Sequence, residues 1–296
     1  MRTAVFMTMA AAALALAGCS NGGNEEIDNW NGEIRLGSGL IVQQARSNNV
    51  DVPDKQIAEG QTVKVFVTKK SSDTGTAYSG YTQEMTADGS GGLTGGTSMF
   101  YPESGEGVNI RAYHPADAGT TFTVKTDQSG NDDKDYFASD LLYSASKDYA
   151  RQKEAHSLSF NHQLCKLTYE LTQGDGTPSL TNAKVQWLNV ATACSFDTST
   201  GVVSATADGS KAITSVTPHP TYGAVVVPQT VTGGTKMLQV TLADGGILTY
   251  TPDADQVLDG GNVYNYTITV NLTELKVTSA ITPWTSVSKS GTATME

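Results

Sequence analysis

The chain has 296 residues, with 30 Asp and Glu against 19 Lys and Arg and a formal net charge of -11. That balance is a poor match to nucleic acid or an anionic membrane surface, and is ordinary for a soluble exported protein. The length allows two domains that each bury a core. Abundant Thr, Ser, Gly and Val with scarce helical periodicity read as all-β.

Residues 1–18 read as a lipoprotein signal peptide. Arg2 supplies a positive start, and Ala4 to Ala17 is an apolar run too short for a comfortable membrane span. It ends in Leu16-Ala17-Gly18-Cys19, the pattern that bacterial lipoprotein processing recognises. Small residues admit the peptidase, and the Cys19 sulfur takes the diacylglycerol, so the mature chain would be lipid-anchored. The alternative is a plain secretory signal with an incidental cysteine. Residues 19–32 are rich in Asn, Gly and Glu and read as a flexible tether. Within it, Glu25, Glu26 and Asp28 either mark export to the cell surface or form a solvated linker.

The first strand is expected over Glu33 to Arg46. Ile34, Leu36, Leu40 and Val42 share one parity, with Ser38 the only break, which is the pattern of a strand with one buried face. Gln61 to Thr68 follows, with Val63, Val65 and Val67 on one face. Lys69 to Tyr101 is polar and Gly-rich, with turn signals at Asp88-Gly89 and Gly91-Gly92, and its strands are hard to place. Val108 to His114 and Phe122 to Lys125 are further strands, and Asp127 to Asp135 reads as an exposed acidic loop. Lys147 to His156 is taken as the junction between domains spanning 33–155 and 156–296.

The second domain opens with Leu158 to Leu171, read as one alternating strand. Ala183 to Val190, carrying Trp187, and Gly223 to Val227 are strands, and Met237 to Leu242 pairs with Ile247 to Thr251 in a hairpin. Val263 to Leu272 places Tyr264, Tyr266, Ile268, Val270 and Leu272 on one face, and Leu275 to Trp284 follows. Thr285 to Glu296 reads as a polar tail. Short strands without helices long enough for βαβ units indicate antiparallel sandwiches.

No nucleophile elbow, HExxH, CxxC, phosphate loop or dinucleotide fingerprint occurs in the chain, and no cofactor or catalytic residue is assigned. The four histidines, His114, His156, His162 and His219, lack metal-ligand spacing, and His162 reads as a structural residue at a strand edge. Asp253, Asp255 and Asp259 fail as an EF-hand, because Val257 and Leu258 stand where a ligand and the turn glycine belong. Cys165 and Cys194 sit in apolar surroundings and read as buried free thiols or a disulfide. Tyr78, Tyr81 and Tyr101 could line a ligand surface.

Several features coincide: the Leu-Ala-Gly-Cys box, an early strand ending in Arg46, Val63 to Val67, Ser139 to Tyr143, and Phe160-x-His162. The ending runs from Gly260-Gly261-x-x-Tyr264-x-Tyr266 to Ile281-x-Pro283-Trp284. In this combination the chain resembles the fimbrillin family, the type V pilins and related surface lipoproteins of Bacteroides-type bacteria. The resemblance implies two tandem transthyretin-like, Greek-key antiparallel β-sandwich domains and no catalytic activity. It implies export as a lipoprotein to the outer membrane, then cleavage by a trypsin-like, Arg-specific protease, which falls here on Arg46.

Cutting there would release a strand whose core is Ile34, Leu36, Leu40 and Val42. Their burial is worth roughly 6–12 kcal/mol before ordering costs. The vacated groove would accept a strand from another pilus subunit. The tail offers only Val287, Ala293 and Met295 at one parity, with Lys289 between them, so it is a poor donor and suits a tip or accessory subunit. The competing expectation is a non-polymerising surface lipoprotein that binds a glycan or a host or bacterial surface receptor through its loops.

Overall fold

The computed structural model describes residues 30–40, 56–70, 72, 77–130, 133–205, 213–283 and 289–292. Short alternating apolar runs, broken by Gly, Pro and Asp, give short strands. In chain order they begin with β1 (Leu36–Leu40), β2 (Thr62–Lys69), β3 (Tyr81–Ala87), β4 (Leu93–Thr94), β5 (Val108–His114) and β6 (Thr121–Thr123). The four-residue helix α1 (Lys134–Phe137) precedes β7 (Leu142–Tyr149), β8 (His156–His162) and β9 (Cys165–Gln173). Next come β10 (Lys184–Ala191), β11 (Ala193–Phe196), β12 (Val203–Ala205), β13 (Ile213–Val216), β14 (Ala224–Val226) and β15 (Gln229–Val231). The last are β16 (Leu238–Thr241), β17 (Ile247–Tyr250), β18 (Gln256–Leu258), β19 (Asn262–Val270), β20 (Leu275–Pro283) and β21 (Lys289–Thr292).

One sheet has the order β1-β8-β7-β5-β2-β3-β4. Val63, Val65 and Val67 of β2 and Val108, Ile110 and Ala112 of β5 are all at 0% exposure, as their alternation requires. A five-stranded sheet, β14-β9-β19-β20-β21, and a four-stranded sheet, β13-β10-β16-β17, share one apolar core. Tyr266 and Ile268 from the first meet Trp187 and Val240 from the second, so this part is a β-sandwich. Two smaller sheets, β12-β11-β6 and β15-β18, complete the fold. Among the strands of the described residues, pairing is antiparallel except for β1 with β8 and β9 with β19, which are parallel. Both parallel pairs join strands far apart in the chain, where a long crossover leaves direction free.

Several elements differ from their expected form. Leu158 to Leu171 is two strands in two sheets: β8 joins the seven-stranded sheet, and β9 opens the five-stranded one. The chain changes sheet at Gln163 and Leu164, whose backbone groups bond to Leu141 and Gly261. Lys147 to Tyr149, expected in a junction, extend β7 opposite Val108 to Ile110 past an irregularity in register. The acidic loop is not simply solvated, because α1 begins at its end and Asp133 bonds to His219. Leu272 lies beyond β19 and is 51% exposed, not on its buried face. The polar tail contributes β21, which pairs with Lys276 to Ser279 of β20. Backbone pairing at a sheet edge does not need apolar side chains.

Candidate functional site

The first strand is held on both of its edges. On one side β1 runs parallel to β8, in a register that pairs Leu36 with His156, Ser38 with Leu158 and Leu40 with Phe160. On the other side Ile34 N–H donates to Met99 O at 2.7 Å, Ser38 N–H to Gly91 O at 2.7 Å, and Tyr101 N–H to Gly32 O at 3.0 Å. Bridges Glu33 to Phe100 and Gly37 to Gly92 mark the same seam. Because β4 begins at Leu93, the strand links the two ends of the seven-stranded sheet. Taking it away would leave two rows of unpaired backbone groups facing each other.

The seam is built from a turn. Asp88 Oδ1 accepts N–H groups of Ser90 and Gly92, each at 2.8 Å, which hold its carboxyl below the ordinary carboxylate range. Asp88 N–H donates to Gly92 O at 3.1 Å, and Gly91 takes a φ of 97°, open to glycine but costly for other residues. This loop pushes the Gly91 carbonyl toward β1. A Cβ at Gly37 would stand 3.0 Å from that oxygen.

The inward face of the strand follows the expected parity. Ile34, Leu36 and Ser38 are 4%, 5% and 5% exposed. Among buried side-chain atoms, Ser38 Oγ has no hydrogen-bond partner. Beside the strand lies a cavity of about 440 Å³, lined by Ile34, Leu36, Met85, Leu93, Met99 and the polar loop between the last two. The backbone of Leu40 pairs with β8, while its side chain, Val42, the cleavage candidate Arg46 and the anchor candidate Cys19 lie outside the described residues.

His156, which gave no signal in sequence, sits where β8 meets the start of β1. Its backbone N–H donates to Arg35 O at 2.8 Å, and its Nε2 lies 2.5 Å from the Tyr101 hydroxyl. The Tyr149 ring packs at 4.6 Å, and the Arg151 guanidinium lies over Tyr101 at 5.7 Å. Burial pushes the His156 pKa down, against a smaller opposite effect of its bond to the Ala150 backbone. Tyr101, thought available to a ligand, is instead 5% exposed in this cluster, whereas Tyr78 and Tyr81 make an edge contact at 6.0 Å.

The other histidines also hold structure together. His162 Nδ1 lies 2.9 Å from Asp140 at the end of β8, and the ring nitrogens of His114 face the carbonyls of Thr62 and Phe137. His219 Nε2 lies 2.8 Å from Asp133 Oδ1, while its Nδ1 accepts N–H groups of Thr221 and Tyr222, which fixes the tautomer. With both nitrogens engaged, this pair cannot serve a nucleophile. Cys165 and Cys194 are free buried thiols, and burial raises the pKa of Cys194 to about 11. Among the described residues, no three His, Cys, Asp or Glu side chains converge as metal ligands.

A second concavity of about 510 Å³ lies beside the sandwich, lined by Tyr169, Lys184, Gln186, Thr217, Asp127 and Ser129, among others. Ser129 donates its N–H and hydroxyl to Asp127 Oδ1, which holds that carboxyl ionised, with its pKa lowered. No local pattern marks this crevice, because its walls come from five separate stretches.

The model of the fimbrillin-like family matches residues 49–284. The chain belongs to the fimbrillin-like family. Its fold resembles a candidate cell adhesion protein of Bacteroides uniformis at a TM-score of 0.58 and 18% identity, covering 86% of this chain and 100% of that one. A candidate cell adhesion protein of Bacteroides ovatus gives a TM-score of 0.60 at 17% identity, covering 85% and 97%. No curated protein matches the chain. At these identities the likeness is one of fold, which for this fimbrillin-like chain is an all-β fold with packed sheets.

Proposed function

We propose that this chain is a subunit precursor of a surface fimbria that serves cell adhesion. It is exported as a lipoprotein through Cys19 and activated when an Arg-specific protease cuts after Arg46. The first strand then leaves, and a strand from another pilus subunit takes its place. The observation that carries this reading is the pairing of β1 on both edges, between β8 and the turn at Gly91. Such a strand seals the sheet, and its loss creates a site complementary to another strand. The tail is polar and already paired as β21, which suits a tip or accessory position better than a repeating stalk.

The test is limited digestion of the purified chain with a trypsin-like protease, followed by denaturing gels without heating, alongside Arg46→Ala. Assembly into heat-labile ladders or complexes with co-purified subunits is expected only for the cleavable chain. A monomer after cleavage after Arg46, or equal assembly by the Ala variant, defeats the proposal.

A second reading, that the chain binds a saccharide without polymerising, is favoured by the crevice at Tyr169. An aromatic ring flanked by a lysine, an amide and an ionised carboxylate suits sugar hydroxyls and an apolar sugar face. Saturation-transfer NMR with galactose, mannose and N-acetylglucosamine would show contact that is lost in Lys184→Met/Gln186→Ala. No transfer from any of the three removes this reading.

A further inference from the structure

We infer that the groove under β1 is matched to a strand with an apolar residue in place of Ser38 and glycine in place of Gly37, supplied by a different subunit rather than a second copy of this chain. The inference rests on the strand-replacement reading above and names the partner that reading leaves open.

The first observation is the serine. Ile34, Leu36 and Ser38 form the buried face, and Ser38 stands opposite Leu158, itself at 0% exposure. Ser38 is 5% exposed, and its hydroxyl is buried with no partner. A hydroxyl taken from water without a partner weakens the strand that carries it. The resident strand is therefore a deliberately imperfect occupant in chemical terms: its backbone pairs on both sides, but one of its inward side chains mismatches the floor. A strand identical except for an aliphatic side chain at that place would keep every backbone bond and remove the mismatch.

The second observation sets a size limit one residue earlier. A Cβ at position 37 would meet the Gly91 carbonyl at 3.0 Å. That oxygen is backbone, and its loop is tied down by Asp88 to Ser90 and Gly92. It also accepts the Ser38 N–H at 2.7 Å, so moving it away would break the seam. The incoming strand needs glycine here and an apolar residue next to it.

The two C-terminal segments of this chain do not meet those demands. Setting Gly291 of the tail on Gly37 places Ser288, Ser290, Thr292 and Thr294 at positions 34, 36, 38 and 40. The other parity places Lys289 inside. Strand β20 matches better in pattern, with Leu275, Val277, Ser279 and Ile281, but it repeats the serine and puts Thr278 where glycine is needed. It is also paired with β19 from Leu275 to Pro283. A homopolymer donating either C-terminal segment would thus install a strand no better than the one removed.

The experiment uses the full chain, cut after Arg46 by limited trypsin digestion and then freed of active protease. Fluorescent peptides covering residues 33–46 are exchanged into it and followed by anisotropy: the native sequence, Ser38→Val, Gly37→Val, and a peptide of residues 285–296. The Ser38→Val peptide should bind about tenfold tighter than the native one. The Gly37→Val peptide should bind at least about tenfold weaker, and the tail peptide should not compete. Equal or weaker binding of Ser38→Val, or a tail peptide as tight as the native one, overturns the inference while leaving strand replacement intact. If no peptide enters the cut chain, strand replacement itself fails, and the partner fails with it. Thermal melting of the uncut chain gives a readout that needs no cleavage: Ser38→Val should melt higher, and a lower melting point overturns the inference alone.

Discussion

The ladder of β19 with β20 runs without interruption from Asn262 opposite Pro283 to Val270 opposite Leu275, and β9 flanks β19 on its other side from Val263 to Val270. The first strand is held differently. It meets β8 from Leu36 to Leu40, and its far edge is fixed by a few backbone bonds to a glycine turn and to Met99. The first arrangement is a wall in the middle of a sandwich, with Tyr266 and Ile268 sunk into a common core. The second is a clasp: backbone bonds on two sides and a cavity alongside. Both bury a strand, but Tyr266 and Ile268 belong to a core shared by two sheets, whereas Ile34 and Leu36 border a cavity.

Breaking the dense region should have the largest effect. Trp187 is fully buried, with its ring centroid 4.8 Å from that of Tyr266. Trp187→Ala should lower stability by about 3–5 kcal/mol through lost burial and the cavity left behind. Denaturant titration would show the midpoint shift across the chain. Leu36→Ala, in the clasp, should cost about 2–3 kcal/mol, the low end of its class, because the side chain already borders a cavity. Its effect should appear mainly as faster proteolysis after Arg46, with a smaller shift in the global midpoint. Equal global shifts for the two variants would erase the distinction between wall and clasp.

The dense region was the easier to read from sequence. Tyr264, Tyr266, Ile268 and Val270 alternate without a break, and Val63, Val65 and Val67 do the same, so their buried faces followed from period alone. The parity of Ile34, Leu36 and Ser38 was also visible. What lay beyond period was partnership. The contact of Gly37 with the Asp88 turn, and of His219 with Asp133, joins residues far apart in sequence, and no local pattern encodes them. The division of β8 from β9 did leave a trace: Leu158, Phe160 and Leu164 share one parity, whereas Cys165 and Leu167 share the other. A change of inward face within one apolar run signals a change of sheet. The crevice at Tyr169 left none, because polar residues lining a surface hollow have the same composition as any solvated face.

Acid should loosen the clasp before the wall. His156 has its pKa lowered in the folded chain by burial, from an ordinary value of 6.5. The unfolded chain therefore takes up the proton first as pH falls. The stability linked to this group is intact above the unfolded value and is lost as pH drops through the lower folded one. Tyr101 and Tyr149 pack against the ring, and burial raises the pKa of both, so they stay neutral in this window and do not offset the change. The melting temperature should fall as pH drops below the ordinary histidine value of 6.5 toward the lowered folded one, and the fall should shrink in His156→Gln. An unchanged slope in that variant would assign the acid sensitivity to other groups.

The smallest effect belongs to the turn that forms the clasp's far side. Asp88 is exposed, so its bonds to Ser90 and Gly92 contribute little to global stability, and Asp88→Ala should leave the melting temperature nearly unchanged. Its consequence is local. Without the carboxylate, the loop no longer presents the Gly91 carbonyl to the Ser38 N–H. Hydrogen exchange should therefore quicken at Ser38, whereas amides of β19 keep their protection. Because hydrogen bonding lowers the Asp88 pKa, this turn keeps its carboxylate bonds above the ordinary carboxylate value of 3.8 and loses them as pH falls through the lowered one. Exchange that rises equally at Ser38 and Tyr266 would mean that the first strand and the sandwich open together. Selective exchange at Ser38 would mean that the strand has its own opening step, as an exchangeable strand requires.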